Sequence, residues 1–281
     1  MVVRLVAVLG AVLVIAGCAG RDADKPSAFV EGTGVHTISV GGHDRTYRLY
    51  KPKGLPASAP LVVMLHGGFG SGAQAEKSYG WDALADAVKF VVAYPDGLNR
   101  AWNVNGGGCC GRPAKEGIDD VAFITAAVAD IERNAGIDTS RVYATGISNG
   151  GIMSYTLACE TAVFAAIGPD SATQLNACRS PHPTSVMHIH GTADRLIRYN
   201  GAPGAGVAHI NGPPVTELNA FWRNVDHCAT PVTSTSGTVT TSTAGCADNR
   251  SVVLITVDGG GHVWPNFATE KLWQFFAAHP R

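Results

Sequence analysis

Charge is scarce in this sequence and almost balanced: 15% of the 281 residues are charged, with 21 Lys and Arg against 22 Asp and Glu. No basic run occurs, so the electrostatic footprint of a nucleic-acid binder is missing and a small or neutral ligand is expected. CxxC and His-rich spacings are absent too, which leaves no signature of a metal site and no call for a cofactor. Internal repeats and a long interdomain linker are lacking, and one large core is the simpler account of a chain that is 46% hydrophobic. The apolar run from Leu5 to Ala16 is too short for a comfortable membrane span and follows Arg4, the pattern of an export signal.

That run ends in Ile15, Ala16, Gly17 and Cys18, which resembles a bacterial lipobox, where small residues admit the peptidase and the cysteine is acylated. The alternative is an ordinary cleaved signal with a coincidental cysteine. Residues 1–17 are expected to be the signal, and residues 18–34, with their polar stretch Ala19 to Ser27, a lipid-attached tether. The mature protein is then exported and held on a membrane face. Removing Cys18 from the seven cysteines leaves Cys109, Cys110, Cys159, Cys178, Cys228 and Cys246, an even set that implies three disulfides. Cys228 with Cys246 and Cys159 with Cys178 would close short loops; an arrangement crossing Cys159 with the Cys109–Cys110 pair stays open.

Residues 35–281 alternate strand-like and helix-like segments. His36 to Val40 and Thr46 to Tyr50 flank a turn at Gly41 to Asp44. Leu61 to Leu65, Phe90 to Tyr94, Val142 to Thr145, Ala165 to Ile167, Val186 to Ile189 and Val252 to Val257 read as strands, most of them buried on both faces. Helical patterns cover Trp81 to Val88, Val121 to Ile131, Leu218 to Val225 and Glu270 to Ala277, and Asp119 and Asp120 read as caps and dipole partners of the second. The Thr-rich stretch Thr230 to Gly245 reads as a surface hairpin or loop. Such alternation predicts an α/β fold with a mostly parallel, doubly wound sheet flanked by helices.

Ala144 to Gly151 (ATGISNGG) follows one of these strands and frames Ser148 as G-x-S-x-G. In a chain with 34 glycines the motif is weak by itself, with a chance expectation of about 0.2 occurrences, so its surroundings decide. A serine nucleophile needs a base, an acid to orient that base, and donors for the oxyanion. His66 to Gly70 follow a buried strand with glycines that let backbone N–H groups face a cleft; Gly68 or Phe69 is the expected first donor and Asn149 the second. Asp194, in HGTAD after the Val186 strand, is the expected acid, with Asp170 its main competitor. His262 follows the last strand through Gly259 to Gly261 and is the expected base. The chain order Ser148, Asp194, His262 is that of α/β-hydrolases. Phe69, Trp264, Trp102 and Tyr199 are candidates for lining the substrate cleft, although aromatic residues more often pack the core.

Taken together, LVVMLHGG (61–68), YPDG (94–97), WN followed by GGGCCG (102–111), DDVAFI (119–124), GISNGG (146–151), HIHGTAD (188–194) and GHVWP (261–265) resemble the polyhydroxybutyrate depolymerase and feruloyl esterase group of α/β-hydrolases. The resemblance spans nearly all of residues 35–281 and implies a single catalytic domain that hydrolyses carboxylic esters through Ser148, Asp194 and His262 without a cofactor. Hydroxyalkanoate oligomers, feruloyl-type esters and short-chain esters are the substrate classes it implies. With no long segment after the last helix, any polymer binding is expected of the catalytic domain itself. An acyltransferase using the same triad and a non-catalytic surface lipoprotein are the rival readings.

Cys18→Ser is expected to move the protein from the membrane to the soluble fraction of a bacterial host without loss of activity. Equal membrane retention of both forms would remove the lipid anchor.

Overall fold

Residue 2 and residues 29–281, apart from 107, 108 and 208, are described by the structure, a computed structural model. Arg4, the apolar run, Cys18 and the stretch Ala19 to Ser27 lie outside the described residues.

The chain opens with β1 (Gly32–Val40) and β2 (His43–Lys51), paired antiparallel with Val40 opposite His43. Gly41 and Gly42 form the turn at φ 59° and 78°. A two-residue connection between right-twisted strands needs positive φ at both positions, which two glycines supply. His43 and Asp44, expected in the turn, therefore stand in β2.

After β2 come β3 (Ala59–Leu65), α1 (Gly72–Ser78), α2 (Trp81–Val88), β4 (Val91–Pro95), α3 (Gly111–Glu116) and α4 (Asp120–Ala135). β5 (Ile137–Ile147), α5 (Asn149–Glu160), β6 (Ala166–Asp170), β7 (Ser185–Gly191) and α6 (Val215–Val225) follow, then β8 (Val232–Ser236), β9 (Val239–Gly245), β10 (Ser251–Val257) and α7 (Ala268–Ala278). All ten strands join one sheet in the order β1-β2-β4-β3-β5-β6-β7-β10-β9-β8. From β4 to β10 neighbours run parallel, while β1, β2, β8 and β9 add antiparallel margins. The Thr-rich stretch is thus a hairpin that extends the sheet, and its outer strand β8 is exposed along its length.

Strand periodicity divides the core. Leu61, Val63 and Leu65 of β3 point to one face, where Phe123 and Ile124 of α4, Ile152 of α5 and Trp222 of α6 pack. Val62 and Met64 point to the other, against Trp81 of α2 and Leu272 and Phe276 of α7. Burying such side chains contributes about 1.5–3 kcal/mol each, and β3, β4, β6 and β7 are buried at every position.

One buried polar contact crosses this frame. Asp119 caps α4 by accepting the Ala122 N–H at 2.8 Å. Asp120, read with it as a helix-start acid, is instead buried in an ion pair with Arg45 of β2 at 2.6 Å, and its other oxygen accepts the Asn103 N–H at 2.7 Å. The Arg45 guanidinium lies 3.9 Å from the centre of the Phe123 ring. Removing one partner of such a pair leaves a charge unpaired in the core, so the contact fixes where the segment after β4 leaves the sheet.

Three disulfides join Cys109 to Cys110, Cys159 to Cys178 and Cys228 to Cys246, the local pairings rather than the crossed one. Their presence fits an oxidising compartment.

Candidate active site

Ser148 sits between the end of β5 and the start of α5 with φ 58° and ψ −124°. A residue with a side chain holds this conformation at a cost of about 1–3 kcal/mol, and only where its surroundings dictate it. They do so here through packing. A Cβ on Gly150 would lie 2.2 Å from the Leu65 carbonyl oxygen, and one on Gly146 would lie 2.6 Å from that same oxygen. The elbow is therefore pressed directly against the end of β3, a closeness that no other residue type permits. The Ser148 N–H is bonded to the Asp170 carbonyl at 2.9 Å, which fixes the turn from the β6 side.

The same contact sets Ser148 beside the loop that leaves β3. Here one expectation is corrected: the Phe69 N–H is taken by the Arg100 carbonyl at 2.8 Å, so it does not serve as an oxyanion donor. Gly68 makes no such backbone bond. Asn149, as the first residue of α5, has one of the unpaired N–H groups that every helix start carries. Those two amides flank the Ser148 side of the cavity. The Phe69 side chain itself is 72% exposed and lines the cavity, as the sequence suggests.

Asp194 and His262 meet because β7 and β10 are adjacent parallel strands ending at the same edge, with Gly191 opposite Val257. The loops beyond them are laced together: Thr192 N–H to Val257 O at 3.0 Å, Ala193 N–H to Gly260 O at 2.9 Å, and Gly259 N–H to Thr192 Oγ1 at 2.8 Å. The glycine-rich approach to His262 is thus tied down. His262 Nδ1 lies 2.8 Å from Asp194 Oδ2. With Nδ1 so held, Nε2 is left for the cavity that Ser148 also lines. Asp194 Oδ1 accepts the N–H groups of Leu196 and Ile197 at 2.8 and 3.0 Å. Although burial pushes the Asp194 carboxyl upward, the bonds from His262 and these amides bring it below the usual carboxylate range, so it stays ionised.

Asp170 behaves differently. It is fully buried, neither carboxyl oxygen is hydrogen-bonded, and burial drives its pKa well above the usual range. A neutral acid without a bond to His262 cannot orient an imidazolium.

The residues Gly67, Phe69, Tyr79, Ser148, Leu196 and His262 help to line a cavity of about 550 Å³. Three aromatic candidates fall outside it. Trp102 is completely buried, donating Nε1–H to the His66 carbonyl at 2.9 Å, and acts as a support. Trp264 packs behind Tyr79 with ring centres 5.1 Å apart, its Nε1–H bonded to Thr269 Oγ1; Tyr79 takes the place expected of it. Tyr199 faces a separate depression on the far side of Asp194 and bonds Thr256 Oγ1 at 2.9 Å.

Several residues with a role here carry little signal in the sequence. The Asn149 side chain accepts the Trp102 N–H at 2.7 Å and donates to the Trp102 carbonyl at 3.1 Å, clamping the loop after β4 to the elbow. His66 Nε2 accepts the Gly97 N–H at 3.0 Å, and burial lowers the pKa of its ring, so it is a neutral strut. Behind Asp194 runs a buried file: Tyr155 Oη 2.9 Å from His188 Nδ1, His188 Nε2 3.0 Å from His190 Nδ1, and His190 Nε2 2.8 Å from the Ile197 carbonyl. Burial pushes both histidines down. Each neutral ring passes one hydrogen bond along; His190 Nε2 also lies 3.5 Å from Asp194 Oδ2, farther than His262 at 2.8 Å.

A serine on a tight turn after a central strand, with a carboxylate and an imidazole delivered by two later strands, is the arrangement of an α/β-hydrolase site. The sequence places it further: residues 45–200 match the family described as Esterase PHB depolymerase. The chain is 32% identical to Feruloyl esterase C of Emericella nidulans, over 83% of its own length and 84% of that protein. It is 31% identical to Feruloyl esterase B of Piromyces equi, over 73% of its own length and 40% of that longer protein. In structure it is similar to the acetyl xylan esterase from Aspergillus awamori, with a TM-score of 0.67, 18% identity, and coverage of 87% of this chain and 99% of that one. The chain belongs to the PHB depolymerase esterase family.

Asp194→Asn is expected to lower kcat by up to about 10⁴ while leaving the protein folded, because the imidazole loses its orienting charge. Asp170→Asn is expected to stay close to wild type. Steady-state kinetics on both variants checks this, and the reverse ranking would exchange the two acids.

Proposed function

We propose that this protein is an exported serine hydrolase of carboxylic esters, acting on hydroxyalkanoate oligomers, feruloyl-type esters or short-chain esters through an acyl-enzyme on Ser148. The observation that carries the reading is the meeting, at one cavity, of a serine on a strained elbow and a histidine whose far nitrogen is bonded to a buried, ionised carboxylate.

The chemistry follows from the positions. Ser148 Oγ attacks the ester carbonyl carbon as His262 Nε2 takes its proton, and the electron pair of the C=O bond moves onto oxygen. That oxyanion faces the Gly68 and Asn149 N–H groups, fixed beforehand by the backbone contact between elbow and β3. The intermediate collapses, the C–O bond to the alcohol breaks, and His262 returns the proton to the leaving oxygen. Water then repeats the sequence on the acyl-enzyme and frees the carboxylic acid. Asp194 remains ionised throughout and compensates the imidazolium. The three disulfides support export, and Cys18 supplies the lipid attachment point of the same reading.

A panel of acetyl, feruloyl and 3-hydroxybutyrate-oligomer esters tests the proposal. Wild type is expected to turn over at least one class, and Ser148→Ala to lose on the order of 10⁶ in kcat with an unchanged circular dichroism spectrum. Turnover that survives Ser148→Ala would sink the mechanism.

A further inference from the structure

The cavity at Ser148 is electrically one-sided. Its lining includes the cations Arg100 and Lys115 and contains no Asp or Glu, although acids and bases are nearly equal in number over the whole chain. Six of the twelve arginines among the described residues pair with a carboxylate, namely Arg45, Arg48, Arg112, Arg133, Arg141 and Arg250. Arg100 and Lys115 appear in no ion pair among the described residues.

Arg100 is also held in place. Its carbonyl accepts the Phe69 N–H at 2.8 Å, its N–H donates to Gly97 O at 3.0 Å, and its Nε donates to Gly70 O at 3.3 Å. Asn99 and Arg100 have φ of 49° and 62°, a region disfavoured for residues with side chains and retained where a site requires it. With Nε anchored to the donor loop, the terminal nitrogens of the guanidinium fork remain for a ligand. Lys115 comes from the short α3, which follows the Cys109–Cys110 disulfide, and Cys110 lines the same cavity. Both cations belong to the excursion between β4 and α4. In the sheet β4 lies on one side of β3 and β5, whereas β7 and β10, which deliver Asp194 and His262, lie on the other. The cations therefore stand across Ser148 from the catalytic base.

From this placement we infer that the cleft selects esters that themselves carry a carboxylate, seated against Arg100 and Lys115 while the scissile carbonyl meets Ser148. The inference rests on the esterase reading above and narrows its substrate class to anionic esters. A guanidinium fork and an ammonium hold a carboxylate by charge-assisted hydrogen bonds, and with no acid in the lining nothing competes with it. Two chemistries present such a group: an oligomer of a hydroxy acid, with the carboxylate on the leaving alcohol, and a half-ester of a dicarboxylic acid, with the carboxylate on the acyl part.

Matched pairs separate these sources. The 3-hydroxybutyrate dimer is compared as free acid and as methyl ester, and p-nitrophenyl hemisuccinate is compared with p-nitrophenyl butyrate. For at least one pair kcat/KM is expected to favour the anion by about tenfold, the size of one charge-assisted bond at a partly exposed site, and the preference is expected to shrink as ionic strength rises. The pair that shows it identifies which half of the substrate faces the cations. In Arg100→Gln/Lys115→Gln the ratio is expected to fall toward one. Equal kcat/KM within both pairs for wild type, or a ratio that the double substitution leaves unchanged, would overturn the inference. Failure to hydrolyse any of the four, together with the acetyl and feruloyl esters of the panel above, sinks the esterase mechanism instead. Calorimetric binding of the dimer acid and its methyl ester to the Ser148→Ala protein then decides the question of charge: tighter binding of the acid supports it, and equal binding overturns it.

Discussion

The contact between the β5–α5 elbow and the end of β3 is the constraint on which the site depends. Because Gly146 and Gly150 present no Cβ to the Leu65 carbonyl, two pieces of backbone approach within ordinary atomic contact. That closeness sets the separation between Ser148 and the loop beginning at His66, which carries Gly68. Everything else holds this junction in place: Ser148 N–H on Asp170 O from one side, Asn149 clamping Trp102 from the other. Strain at Ser148 is sustained by packing along the elbow, at a cost that the large two-faced core absorbs.

A second layer arranges charge. Buried polar groups around the site are kept neutral wherever a charge would compete: burial lowers His66, His188 and His190, and burial raises Asp170, with the nearby Asp194 charge adding to it. Asp194 alone is ionised among them, because it receives two amides and His262. In a poorly screened interior the carboxylate then acts most strongly on the nearer imidazole, His262 at 2.8 Å rather than His190 at 3.5 Å. Toward solvent the pattern reverses, and the open wall of the cavity carries Arg100 and Lys115 with no acid in its lining.

Much of this was legible in the sequence because the signals are local. Apolar runs identified the parallel strands, G-x-S-x-G marked the elbow, and the order of Ser148, Asp194 and His262 placed each residue after its own strand. What stayed hidden depends on contacts between distant segments. The satisfied amide of Phe69 requires the Arg100 carbonyl, which lies on a loop beyond β4. The burial of Trp102 follows from its bond to His66, and Trp264 stands behind Tyr79 because α7 and the segment before α2 pack together through Thr269. The file from Tyr155 to His190 joins a helix to a strand, and two histidines spaced as in HIH show only that both point to one face of β7.

The central claim is that Ser148 is an activated nucleophile. A fluorophosphonate ester, which is attacked by such serines and loses fluoride to leave a stable phosphonate, measures this directly by intact mass and peptide mapping. One label per chain, confined to the peptide containing Ser148 and appearing in step with loss of ester hydrolysis, is the result expected. An unlabelled protein, or a label on another residue with activity intact, would contradict the account.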